Sequence, residues 1–246
     1  MTALYAFFRA TDDLADDPGE LALKRLALQD WRTRLDAALA GEYTHRVHAA
    51  LHSAVRTFDV PPVHLHAVID GVESDLEPVA FANFAELYKY CYRVASAVGL
   101  ACLPIWGFRG DAAGPAEAAG IAFQLTNILR DLGDDRANHR VYLPADELAR
   151  FNCAPDDWLP ANPDFQHLML FQIERARSFY TKARDLNDFL SPDGRAIFGV
   201  LCGVYAKLLD AIETHHFDVF TQRVRVSKLA KLRLLAAAWP TKWGIL

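Results

Sequence analysis

The sequence predicts an all-α fold: a single-domain helical bundle covering residues 1–246. Three observations predict it. Apolar residues recur at helical spacing over long stretches, whereas alternating strand patterns are scarce. Prolines and glycines fall where helices begin or end. Hydrophobic residues make up 52% of the chain, enough for a sizeable core, and no Pro/Gly-rich linker or internal repeat divides it.

The elements follow in order. A first helix runs through Leu4 to Asp16. Leu21 to Leu39 repeats apolar residues at helical spacing, and Gly41 closes it. Pro61 and Pro62 suit the first turn of a helix that continues to about Leu76. Phe84 to Trp106 is apolar nearly all round, which predicts a central helix. Ala116 to Leu132 forms another. Pro144 opens a short helical piece, and Asn152 to Pro163, with three prolines and two aspartates among others, reads as a loop. Phe165 to Phe189 is expected as one long amphipathic helix. Ser191 and Pro192 provide an N-cap and first position for a helix through Glu213, and a basic helix covers about Ser227 to Ala238.

Bulk properties narrow the function. A formal charge of −5 argues against nucleic acid, or an anionic membrane gripped by charge alone, as a partner. Cys91, Cys102, Cys153 and Cys202 lie far apart without zinc spacing and read as buried free thiols in a reducing cytoplasm. No basic region precedes an apolar run at the N-terminus, and the stretches Val98–Phe108 and Ala196–Leu209 are too short to span a bilayer. His45, His48 and His52 share a helical stripe, but the segment is polar and offers no further ligand, so a solvated face is expected. The E-x-x-H ending at His216 lacks the second copy that a di-iron bundle needs.

The chemistry lies on two helices. Tyr5, Arg9, Asp12 and Asp16 are spaced four, three and four apart, which keeps them on one face. Gln124, Asn127, Asp131 and Asp135 repeat the pattern, with Gly120 ahead of them and Arg130 and Asp134 alongside. Like charges at i,i+4 destabilise a helix by roughly 0.2–0.5 kcal/mol, and both pairs adjoin strongly apolar sequence. Carboxylates facing a bundle interior would be offset by a divalent cation. Mg²⁺ suits them, because it takes one or two carboxylates together with waters and substrate phosphates. Arg9 and Arg130 are shaped to grip phosphate oxygens, and Tyr5 and Gln124 add neutral hydrogen bonds. Two acidic stripes beside apolar walls describe a site for a diphosphate with a greasy tail.

These motifs resemble the squalene/phytoene synthase family. Residues 4–16, LYAFFRATDDLAD, resemble its first aspartate-rich motif, and residues 120–144, GIAFQLTNILRDLGDDRANHRVYLP, its second. IDGVESDL (69–76), YCYRVASAVG (90–99) and FTQRVRVSKLAKLRLL (220–235) also fit. The resemblance implies the isoprenoid synthase bundle. It implies that Asp12 and Asp16 bind Mg²⁺ for one diphosphate, and that Asp131 and Asp135, supported by Asn127, bind it for the other. Tyr5, Arg9 and Arg130 would contact phosphate oxygens. Gln124 and Tyr90 would line the reacting region, and Val94, Ala95, Val98 and Gly99 the prenyl channel. Tyr205 and Arg223 match C-terminal phosphate contacts. Two departures stand out. Leu4 follows closely on Met1, so the family's preceding helix with its Ser-Phe motif is not in this sequence. Asn138-His139 precedes Arg140 where Gly-Arg is usual.

The implied reaction joins two prenyl diphosphates through an allylic cation and a cyclopropyl diphosphate. Apolar walls exclude water. Tyr90 is expected at the site, Tyr92 and Trp106 in the core. Two farnesyl diphosphates giving presqualene diphosphate or squalene is the favoured product line, and two geranylgeranyl diphosphates giving phytoene is the alternative. NADPH serves some relatives, but no Gly-rich dinucleotide fingerprint is present. A contrasting class is a shortened, non-catalytic homologue that acts by binding partners. Arg223, Arg225, Lys228, Lys231 and Arg233, followed by Trp239 and Trp243, are compatible with peripheral contact at a membrane surface.

Overall fold

A computed structural model describes residues 1–77 and 79–242. The described residues form a helical bundle without strands; an isolated bridge joins Phe108 and Leu190. The helices are α1 (Thr2–Asp16), α2 (Leu21–Leu39), α3 (His48–Phe58), α4 (Pro62–Ser74), α5 (Phe84–Cys91), α6 (Ala97–Trp106), α7 (Ala113–Ala137), α8 (Ala145–Arg150), α9 (Pro163–Ala183), α10 (Leu186–Phe189), α11 (Pro192–Thr214) and α12 (Lys228–Lys242). Among these residues no helix is long and apolar enough to cross a membrane.

Local chemistry accounts for most boundaries. Gly41, at φ +98°, follows the end of α2. Pro62 starts α4. Asn83 caps α5 through the Glu86 amide, and Ser191 caps α11 through the Gly194 amide at 3.1 Å. The expected helix from Phe84 to Trp106 is present, but its middle, Tyr92–Ser96, is a π-helical turn. Such insertions are frequent at functional sites. This turn packs against α7 so closely that a Cβ on Gly120 would lie 2.3 Å from the Ser96 Cα. The Ser96 hydroxyl donates to the Glu117 carbonyl at 2.8 Å across the same contact.

Three expectations need correction. Phe165–Phe189 is not one helix: α9 ends at Ala183, and α10 restarts at Leu186, which is buried in the core. The helix bearing the second motif is longer than 116–132 and carries Asp135 within it. His48 is fully buried rather than solvated. Its ring packs on Trp31 with centroids 5.3 Å apart, and its Nδ1 accepts from the Thr44 and His45 amides. A core indole supplies the apolar surface that the polar local sequence hides. Cys91, Cys102 and Cys153 are buried and Cys202 is partly buried, all as free thiols.

The core has two clusters. One joins α1–α4 with Ala101 and Cys102, and the other fills the space among α5 to α11. Trp106 packs against both. Within the first cluster, the Trp31 indole donates to Thr11 Oγ1 at 2.8 Å, and Thr11 donates to the Phe7 carbonyl. This chain fixes the rotation of α1 one residue before Asp12.

Candidate active site

α1 and α7 present their carboxylates from two sides, and the end of α4 fills the gap between them. Asp12 and Asp16 line a cavity of ≈ 280 Å³ with Asp75, Arg140 and Lys24. Asp75 follows α4 directly and is half-buried, its Oδ1 fully so. Burial pushes its carboxyl up to about 6; Tyr90 and Arg140 act against this, and Asp12 and Asp16 add to it. Burial likewise pushes Asp135 up to about 6, with Asp131, Asp134 and Asp75 raising it and Arg140 lowering it. Asp12 is raised by burial and then by Asp16. The mutual influence of these groups places Asp75 and Arg140 between the two stripes. Burial is the largest cause at all three acids, and repulsion among them adds to it.

Asp131 is held differently. Arg130 Nε donates to it at 2.7 Å, and Arg223 donates through Nε at 3.0 Å and Nη2 at 3.1 Å. Arg130 and Arg223 also line a cleft of ≈ 500 Å³ with Tyr205, Arg225, Lys228 and Lys231. Both arginines are fork donors suited to phosphate as well as carboxylate.

An apolar cavity of ≈ 280 Å³ lies beside these groups, between α5–α6, α7 and α11. Val94, Ala95, Val98, Gly99, Gln124, Asn127 and Tyr205 all line it, along with Trp106, which the sequence assigned to core packing. Tyr205 stacks on Phe123 at 4.6 Å and belongs to both the apolar cavity and the basic cleft. The basic cleft and the apolar cavity therefore share Tyr205 as a wall.

Not every predicted residue joins this group. Tyr5 is 69% exposed. Arg9 pairs with Asp13 at 2.7 Å, one residue off the aspartate stripe. Tyr90 is buried against Phe81 and Tyr142 and acts on Asp75 rather than lining the apolar cavity. Asp75 and Arg140 were not singled out from sequence. The signal for Asp75 was available: Leu65, Val68, Ile69 and Val72 form the buried stripe of α4, and Asp75 continues that stripe as a lone acid.

The donor set fits Mg²⁺. Asp75 Oδ1 and Asn127 Oδ1 are buried acceptors without a hydrogen-bond partner, and Asn127 is a residue the resemblance expects to support the metal. Among the described residues no three His, Cys, Asp or Glu side chains form a ready-made cage. That is compatible with an ion that relies on waters and substrate oxygens for most of its shell.

Comparisons with known proteins identify the family. The family model described as squalene/phytoene synthase matches residues 1–230. Phytoene synthase 3, chloroplastic, of Zea mays is 36% identical over 96% of this chain and 58% of its own length. Phytoene synthase 1, chloroplastic, of Solanum lycopersicum is 37% identical over 96% of this chain and 60% of its length. The chain thus spans less than two thirds of these relatives. A crystal structure of a dehydrosqualene synthase in complex with ligand superposes with a TM-score of 0.87 at 27% identity, covering 98% of this chain and 86% of the other. The chain belongs to the squalene/phytoene synthase family, and its bundle is the all-α isoprenoid synthase fold.

Proposed function

We propose that this chain catalyses head-to-head condensation of two prenyl diphosphates, with geranylgeranyl diphosphate as substrate and phytoene as product. The observation that carries the reading is the convergence of the α1 and α7 carboxylates on half-buried Asp75, next to an apolar cavity with its polar groups at one end. The names of the maize and tomato relatives support geranylgeranyl over the farnesyl substrate that the sequence alone favoured. The dehydrosqualene synthase neighbour keeps farnesyl diphosphate as the second reading. Facing carboxylates support catalysis over a purely binding homologue.

Asp12 and Asp16 on one side, and Asp131, Asp135 and Asn127 on the other, would hold Mg²⁺. Held there, the ion would neutralise charge on the diphosphate leaving group. Arg130 and Arg223 orient the phosphate oxygens and stabilise charge that develops as the carbon–oxygen bond breaks. The apolar wall of Val94, Val98 and Phe123 excludes water from the allylic cation. The exposed leucines of α12, Leu229, Leu232 and Leu235, sit among Lys228, Lys231 and Arg233, which supports peripheral contact with a lipid surface. Trp243 of that segment lies outside the described residues, as does the side chain of Trp239.

The test is Mg²⁺-dependent diphosphate release with geranylgeranyl and farnesyl diphosphate supplied separately, products identified by mass spectrometry. Phytoene from the first substrate is expected. Asp131→Ala should reduce turnover at least about a hundredfold, the scale of removing one charge-stabilising group, while leaving the circular dichroism spectrum unchanged. Unchanged turnover in that variant refutes the role given to Asp131.

A further inference from the structure

We propose that Trp106, with Leu186 and Phe198, forms a rigid stop that sets the longest prenyl chain this enzyme accepts. The inference rests on the prenyl diphosphate reading above and specifies its substrate limit. Three helices define the axis of the apolar cavity. On α7 the lining runs from Asn127 to Ala116, eleven residues, which is about 16 Å at the helical rise. On α5–α6 it runs from Val94 to Trp106, and on α11 from Tyr205 to Phe198. The polar groups Asn127, Gln124 and Tyr205 all fall at one end. Trp106, Leu186 and Phe198 all fall at the other.

The walls between these ends mix small residues with Val98, Leu103, Phe123 and Leu201. Ala95, Gly99 and Ala119 leave room along the lumen, and a Cβ on Gly99 would meet nothing within 4 Å. Trp106, Leu186 and Phe198 gather at the end away from Asn127. Leu186 and Phe198 are 1% and 2% exposed and belong to the packed core.

The stop is also pinned. The Ser191 hydroxyl donates to the Trp106 carbonyl at 2.5 Å, and the Ser191 amide donates to the Gly107 carbonyl at 2.8 Å. The Arg109 amide donates to the Phe189 carbonyl at 3.0 Å. Ser191 is at the same time the cap of α11, so one residue ties the end of α6 to the elements that carry Leu186 and Phe198. A Cβ on Gly194 would lie 3.0 Å from the Trp106 carbonyl, so the two elements are already in contact. Trp106 Nε1 is buried without an acceptor. Phenylalanine or leucine would avoid that cost. What the indole adds is bulk at the closed end.

The experiment measures binding of non-hydrolysable farnesyl, geranylgeranyl and geranylfarnesyl thiolodiphosphates in Mg²⁺ by calorimetry. Wild type, Trp106→Ala, Trp106→Phe and Gly99→Val are compared, with thermal melts as a folding check. Trp106→Ala should raise the affinity of the longest chain relative to farnesyl by at least about tenfold, the scale of a methylene-sized misfit in an apolar pocket. Trp106→Phe should shift it less, and Gly99→Val should shift preference toward farnesyl. An unchanged order of affinities in Trp106→Ala, or in Trp106→Phe should the alanine variant fail to fold, overturns the stop. Wild type that binds none of the three chains overturns the prenyl diphosphate reading, and the stop with it. Binding with unaltered preference overturns the stop alone.

Discussion

Asp75→Asn should make the metal-free protein more stable and the enzyme inactive. In the folded chain the Asp75 carboxyl is pushed from 3.8 to about 6, mainly by burial. Its unfolded value is the ordinary one, so the folded state binds this proton more tightly than the unfolded state. The stabilising effect of protonation is fully present below pH 3.8 and is lost as pH rises through about 6. A shift of that size at 1.36 kcal/mol per unit amounts to about 3 kcal/mol at neutral pH. Asparagine keeps the shape and removes the charge. At pH 8 and in chelator it should therefore raise stability by up to about 3 kcal/mol, which for a chain of this size is on the order of 6–12 °C in Tm. At pH 4 the wild-type carboxyl is protonated in the fold, and the gain should shrink toward zero. Mg²⁺ should stabilise wild type more than the variant, because an ion that binds only the folded site adds stability by mass action. The assay is thermal and guanidinium unfolding at pH 4 and pH 8, with and without Mg²⁺. Equal or lower stability of the variant at pH 8, or a gain that persists at pH 4, would refute the view that these acids are assembled at a cost to the fold.

Two further outcomes concern the frame that holds the site. Gly120→Ala should lower stability by about 1–3 kcal/mol, the scale of overpacking, because its Cβ would clash with the Ser96 backbone; a Tm equal to wild type would refute that contact. Glu147 is buried and accepts from Arg175 at 2.9 Å and from Gln172 at 2.6 Å, while Arg175 stacks over Phe84 at 3.9 Å. Glu147→Ala should cost about 3–5 kcal/mol by stranding the Arg175 charge, read by chemical unfolding, and a loss under 1 kcal/mol would show that the pair is solvated.

Much of this protein was legible locally. The period of apolar residues, the caps at Ser191 and Pro62, and the glycine after α2 depend on neighbours a few residues away, so the sequence carries them openly. The same holds for the four-three-four spacing that puts Asp12 with Asp16 and Asp131 with Asp135 on single faces, since one helix geometry decides it. Tertiary structure decided what depends on partners distant in sequence. His48 became a core residue because Trp31 of α2 covers it. Arg9 turned to Asp13, whereas Arg130 was joined on Asp131 by Arg223, ninety-two positions away. Trp106 reads as core filling in any linear scan. Only the meeting of α6, α10 and α11, tied at Ser191, makes it the end wall of a channel, because a cavity belongs to the space between elements and to none of them alone.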